Sequence, residues 1–141
     1  MTNIKYELLD NDTVQTWDGR TLKRIRALVA IGSLVAAGEL GGYIESEDNL
    51  SQVSGDAWVS GDARVEQRRD IFWISIIGSE HGTYTAFKNK DGGISVNRGC
   101  FNGSLEQFID AVNERHTGNF HQEYQLVIEL TKVRLSVKEV V

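Results

Sequence analysis

The chain has 141 residues, with 15 Lys and Arg against 20 Asp and Glu, a formal net charge of −5 and 40% hydrophobic residues. That length suits one compact domain or two small co-folded halves. The acidic balance lacks the basic face that phosphate neutralisation requires, which argues against bulk DNA or RNA as a partner.

A single Cys excludes an internal disulfide framework and suits a reducing cytoplasm. The longest uncharged apolar run, residues 27–38, is too short to span a bilayer and too far along the chain for a signal-peptide core. The protein is therefore expected to stay in the compartment where it is made. With no Pro, turns must come from Gly, Asn and Asp, as at Asp10-Asn11-Asp12, Asp91-Gly92-Gly93 and Asn102-Gly103.

The first predicted elements are two strands, residues 5–9 and 21–28, separated by a polar Asp/Asn/Gly stretch. On the second, Lys23, Ile25 and Ala27 point one way and Leu22, Arg24, Arg26 and Leu28 the other. Two hexads follow, Val53-Ser-Gly-Asp-Ala-Trp58 and Val59-Ser-Gly-Asp-Ala-Arg64, then Val65. An aliphatic first position and a small fifth position at this period predict short parallel β-helix coils, with Gly-Asp at each corner. Leu28, Leu34 and Leu40 repeat the spacing out of phase, as do Ile44 and Leu50. So few coils cannot bury a core alone, so the rest of the chain or further copies must cover them.

Residues 72–77, 83–87 and 93–97 are β-rich runs separated by Gly-containing turns, which predicts an antiparallel meander. Ser104 and Gln107 form a capping box that opens a helix with the apolar stripe Leu105, Phe108, Ile109 and Val112. Its end is expected near His116-Thr-Gly118. A second helix is predicted from about Phe120 to the mid-130s. One of its faces carries Phe120, Tyr124, Val127 and Thr131, and another carries Leu126, Leu130, Val133 and Val137. Two apolar faces on a terminal helix predict either deep burial or sharing with a neighbouring subunit, and in so small a chain the shared interface is the favoured reading. The fold class is thus α+β, with strands and β-helix-like coils over 1–66 and a co-folded sheet with two helices over 67–141.

The candidate chemistry is sparse. Cys100 with His116 or His121 offers a thiol and a base, yet Cys100 lies between strand and helix, where a small buried filler is the commoner use. The three His residues lack metal-ligand spacing, and no phosphate loop, carboxylate pair or nucleophile elbow is present. Hexapeptide acyltransferases share the repeat but need a His on a coil face, and residues 27–66 contain none. The remaining set lies on the meander, where alternation puts Thr83, Thr85 and Phe87 on one face, with Ser95 and Asn97 on the next strand and Arg98 following. An aromatic to stack on a base, an amide to read its edge and a guanidinium for phosphate make a minimal nucleotide kit. Core packing of Phe87 and simple strand termination by Asn97-Arg98 are the competing structural reading. Arg115 is a possible second phosphate partner, and Arg24, Arg26 and Arg64 are the next candidates.

The N-terminal half, with Tyr6-Glu-Leu-Leu9, Gly41-Gly-Tyr-Ile-Glu45, Asn49-Leu-Ser51 and the Gly-Asp-Ala hexads, resembles β-helical proteins of phages and prophages. The C-terminal half, with Ile76-Ile-Gly-Ser79, Thr85-Ala-Phe87, Gly99-Cys-Phe101 and Gly103-Ser-Leu-Glu-Gln-Phe108, resembles the first Thoeris anti-defence family. That resemblance implies a phage-encoded oligomeric sponge, a dimer or hexamer in the cytoplasm of the infected bacterium. It implies that the protein sequesters a cyclic ADP-ribose isomer or a cyclic oligonucleotide without cleaving it and without a cofactor. It also implies Phe87 and Asn97, ten residues apart, as ligand contacts. The alternative is a protein-directed inhibitor of a host defence complex, or a structural oligomeric module.

Overall fold

The computed structural model describes residues 5–31, 35–52, 57–66, 68–78, 82–98, 101–115 and 118–135. Residues from Tyr6 onward form β1 (Tyr6–Gln15), which turns back through residues 16–20 into β2 (Thr21–Ala27). The Asp10-Asn11-Asp12 stretch, expected as a turn, instead lies within β1, where the register shifts between Leu9 and Thr13. Ile25 and Ala27 point into the core, while Arg24 and Arg26 stay outside. β3 (Leu40–Ile44) adds antiparallel to β2, and β4 (Arg64–Val65) adds parallel to β3.

The hexad residues pack as their period predicts. Ala57, Val59, Ala63 and Val65 are fully buried, and a Gly61-Asp62 turn closes with an Ala63 N–H···O=C Ser60 bond of 3.0 Å. They do not build a solenoid, however. Among the described residues the only parallel step joins Tyr43 to Arg64 and Ile44 to Val65. The antiparallel β1–β2 hairpin occupies β3's other edge, where a preceding coil would have to stack. Leu28 and Leu40, expected inside, are exposed, whereas Ile44 and Leu50 are buried. Residues 53–56 of the first hexad and Leu34 lie outside the described residues. The parallel step is tight because β3 carries Gly41 and Gly42: a Cβ on Gly42 would collide with the Ser60 carbonyl and the Ala63 side chain.

The second half is an antiparallel sheet in the order β5 (Ile71–Ile77), β6 (Gly82–Lys88), β7 (Ile94–Arg98), β8 (Phe101–Ser104). The first three are the predicted meander. The fourth absorbs Asn102-Gly103, which was expected as a turn. Ser104 and Gln107 form the reciprocal capping box, at 2.9 and 3.1 Å, that starts α1 (Leu105–Arg115). Helix α2 (Gly118–Leu135) follows, its Gly118 in the left-handed region at φ 66°. Leu105, Phe108 and Val112 are buried, as are Tyr124, Val127 and Thr131. Leu126, Leu130 and Val133 are exposed, and Phe120 is 42% exposed rather than inside. No helix among the described residues is long and apolar enough to cross a membrane.

The second sheet is the middle layer. One face, carrying Ile71, Trp73 and Phe87, belongs to the core built by Tyr6, Ile25, Trp58 and Val65. The other, carrying Phe72, Tyr84, Ala86 and Val96, packs on the two helices. Burial raises the Tyr84 phenol from 10.0 to about 12 against the opposing bond to Thr131, and burial raises Tyr6 as well. Because both pKa values rise on folding, this stability is fully present below pH ~10 and is lost as pH climbs through the folded values. A titration at 295 nm should therefore show the Tyr6 and Tyr84 phenolates appearing late and together with loss of circular dichroism. Titration of all four tyrosines near pH 10 in an intact fold would refute this burial.

Candidate ligand cleft

β-Sheet alternation decides the fate of the meander residues. Thr85 and Asn97 are direct cross-strand partners and both face the hexad segment. There Thr85 Oγ1 accepts from the Trp58 N–H at 3.3 Å, and Asn97 Nδ2 donates to the Trp58 carbonyl at 2.6 Å. Phe87 is fully buried in the same core, and Thr85 is fully buried beside it. These three residues join the two halves and present no open surface to a ligand.

Arg98 pairs in register with Tyr84, so it lies on the opposite, helix-facing side, its guanidinium 5.5 Å from the Tyr124 ring centroid. Phe87 and Asn97 therefore cannot share one pocket wall with Arg98, because adjacent strand residues face opposite ways. Arg115 is an exposed residue at the end of α1. Cys100 and His116 lie outside the described residues, and His121 is bonded to Asn113 at 2.9 Å.

The reserve arginines are largely committed. Arg26 pairs with Glu7. Arg24 and Arg64 flank the Tyr43 ring at 5.4 and 4.4 Å, with Asp12 bonded to both Arg24 and the Tyr43 hydroxyl. This cross-strand row of Arg24, Tyr43 and Arg64 braces the outer face of the first sheet.

A cleft of about 310 Å³ opens instead at the seam between the halves, lined by Asp48, Asn49, Arg69, Ile71, Phe72, Trp73 and Arg134. Three remote segments assemble it. After β3, Asn49 Oδ1 accepts from the Glu45 and Ser46 N–H groups at 3.0 and 2.8 Å, folding the turn that carries Asp48. A single 3₁₀ turn, Arg68–Asp70, precedes β5. Its buried Asp70 accepts from the Glu66 N–H at 3.1 Å and lies 3.7 Å from Lys88 Nζ, leaving Arg69 outward. From the end of α2, Arg134 lies over the Phe72 ring at 5.3 Å.

Arg20, Arg24 and Arg26 all pair with carboxylates, whereas neither Arg69 nor Arg134 does so among the described residues. Arg134 Nε is also buried without a hydrogen-bond partner among those residues. Asn49 has its oxygen committed, which leaves its Nδ2 as a donor. The cleft thus combines two uncompensated guanidiniums, two half-buried aromatic rings, one amide donor and one carboxylate acceptor.

Phe72 and Trp73 are consecutive and point to opposite sheet faces, so the cleft wraps the free edge of β5. A sequence signal for part of it exists in Arg69-Asp-Ile-Phe-Trp73, a cation just before an aromatic pair. Asn49 and Arg134 lie too far away in the chain to be added by spacing. Comparison with protein-family models, with curated proteins and with solved structures finds no match to this chain.

Proposed function

We propose that the protein is a non-enzymatic, phage-encoded binding protein that sequesters a cyclic nucleotide signal of the infected cell, and that the seam cleft holds the ligand. The observation that carries this reading is the pair of guanidiniums, Arg69 and Arg134, which lie beside Phe72 and Trp73 and have no carboxylate partner among the described residues. Phosphate oxygens supply the missing counter-charge, a base stacks on an aromatic ring, and Asn49 with Asp48 offers a donor and an acceptor to base or ribose. The lining holds a single carboxylate, Asp48, with no histidine, cysteine or hydroxyl group beside it, which supports capture rather than cleavage. The cytoplasm of the host is where such a signal is made and where capture would matter.

Calorimetry against cyclic ADP-ribose isomers and cyclic oligonucleotides tests this. Arg134→Ala and Arg69→Ala should each weaken binding tenfold to a hundredfold, the equivalent of about 1.5–3 kcal/mol per charge-assisted contact. Trp73→Ala should cost about 1–3 kcal/mol. Arg115→Ala should leave binding unchanged. Heat denaturation should release the ligand intact. A silent panel, or a linear product on the chromatogram, would refute the reading. A silent panel would favour a protein-directed inhibitor or assembly module, for which the exposed Leu126, Leu130 and Val133 speak.

A further inference from the structure

The seam cleft has two chemically distinct ends. Arg69 and Arg134 bring positive charge to it from the 3₁₀ turn and the end of α2. Asp48 and Asn49 bring a carboxylate and an amide from the turn after β3. Although these groups line one cleft, Asp48 pairs with neither arginine. Among the described residues its carboxylate has no ion pair and no hydrogen bond, while its N–H donates to Ser46 Oγ at 3.2 Å.

Asn49 is 3% exposed, and its Oδ1 holds the turn by accepting from the Glu45 and Ser46 N–H groups. Those bonds fix which way the amide faces. Its Nδ2 has no partner among the described residues, so its donors are what this buried residue offers the cleft it lines.

The two rings divide in the same way. Arg134 lies over the Phe72 ring at 5.3 Å, which places that ring at the cationic end. Trp73 packs on the core that holds Leu50, the residue after Asn49, and so stands at the amide and carboxylate end. A base stacked on Trp73 meets Asp48 and Asn49 with its edge, and its phosphate lies toward the arginines.

The carboxylate then selects the base. Phosphate repels Asp48, so the place for Asp48 is against the base. A carboxylate only accepts, and its two oxygens call for two neighbouring donors. Guanine alone among the common bases carries such a pair on one edge, N1–H and N2–H₂, with O6 as an acceptor beside them. Adenine and cytosine offer one amino group next to a ring-nitrogen lone pair, and uracil a single N–H between two carbonyls. A ribose esterified at its 3′ oxygen gives one donor only.

Given the seam cleft as the nucleotide site, we infer that it selects guanine. Asp48 accepts from N1–H and N2–H, Asn49 Nδ2 donates to O6, and Trp73 stacks on the base. At about 310 Å³ the cleft is at the small end of the ~300–1,000 Å³ of ligand pockets and seats one nucleotide. One guanine in a cyclic dinucleotide is therefore enough.

Calorimetry on the full chain should rank cyclic diguanylate about tenfold above its inosine counterpart, which lacks the N2 amine, and about a hundredfold above cyclic diadenylate. A mixed guanylate–adenylate ring should bind nearly as tightly as cyclic diguanylate. Asp48→Asn, at an exposed position that spares the fold, exchanges one acceptor for a donor. It should weaken cyclic diguanylate about a hundredfold and gain the xanthine counterpart, whose C2 carbonyl accepts that donor. Asn49→Asp keeps an oxygen for the Glu45 and Ser46 N–H groups, removes the donor to O6, and should weaken cyclic diguanylate about tenfold. Cyclic diadenylate binding as tightly as cyclic diguanylate overturns guanine selection and leaves the cleft as the nucleotide site. So does an Asp48→Asn variant with unchanged base preference. A wholly silent panel overturns both.

Discussion

Phe108→Ala is expected to lower stability by about 3–5 kcal/mol, as large aromatic-to-Ala changes in cores do. The ring is 2% exposed and sits at the centre of the helix-facing core. Its centroid lies 5.3 Å from Tyr84, 5.3 Å from Phe101 and 5.5 Å from Tyr124, each at a steep interplanar angle. Edge-to-face pairs add about 0.5–1.5 kcal/mol each beyond area burial, so the void left behind removes several contacts at once. Domains of this size have about 5–15 kcal/mol in total, so this one change consumes a large share. Urea denaturation of wild type and variant measures it. Phe120→Ala is the matched comparison, since that ring is 42% exposed, and should stay within about 1 kcal/mol. Equal losses for the two variants would mean that Phe108 is not the centre of this core.

Gln52→Leu should cost about 3 kcal/mol or more, for a different reason. The Gln52 side chain acts as a surrogate strand: Oε1 accepts from the Lys5 and Tyr6 N–H groups at 2.9 and 3.1 Å, and Nε2 donates to the Tyr6 carbonyl at 3.0 Å. Gln52 is 8% exposed and Tyr6 fully buried, so water does not replace these partners. Leucine is of similar size but strands three backbone groups, each worth about 1–3 kcal/mol when left unpaired. Gln125→Leu, on the half-exposed side of α2, should be nearly neutral. A Gln52→Leu variant that unfolds at the wild-type urea midpoint would show that these bonds carry no net stability.

Comparison of residues shows why part of the fold was legible before the structure and part was not. The Ser104–Gln107 capping box and the Leu105, Phe108 and Val112 stripe are local, because their bonds and faces are set within four residues by helical geometry. The same holds for the alternation that buries Thr85, Phe87 and Asn97 together. The hexads show the limit of such reasoning. Their period correctly gives which side chains point inward, but one strand face serves a solenoid coil and an ordinary sheet equally well. What separates the two is which strand takes the neighbouring edge, and β2 pairing antiparallel with β3 decided that.

The candidate site followed the same division. Residue type rightly marks aromatic and guanidinium groups as suited to a nucleotide, but type does not say which face a group reaches. Asn97 and Arg98 are adjacent in the chain and lie on opposite sides of the sheet. By itself the sequence determined the α+β class, the meander, both helices and the inward positions of the second hexad, because each depends on contacts between near neighbours. Only the tertiary structure decided that Asn49, Arg69, Phe72, Trp73 and Arg134 share one cleft, and that Leu126, Leu130 and Val133 remain uncovered. These features join segments tens of residues apart, and chain spacing carries no information about which distant surfaces meet once apolar area is buried.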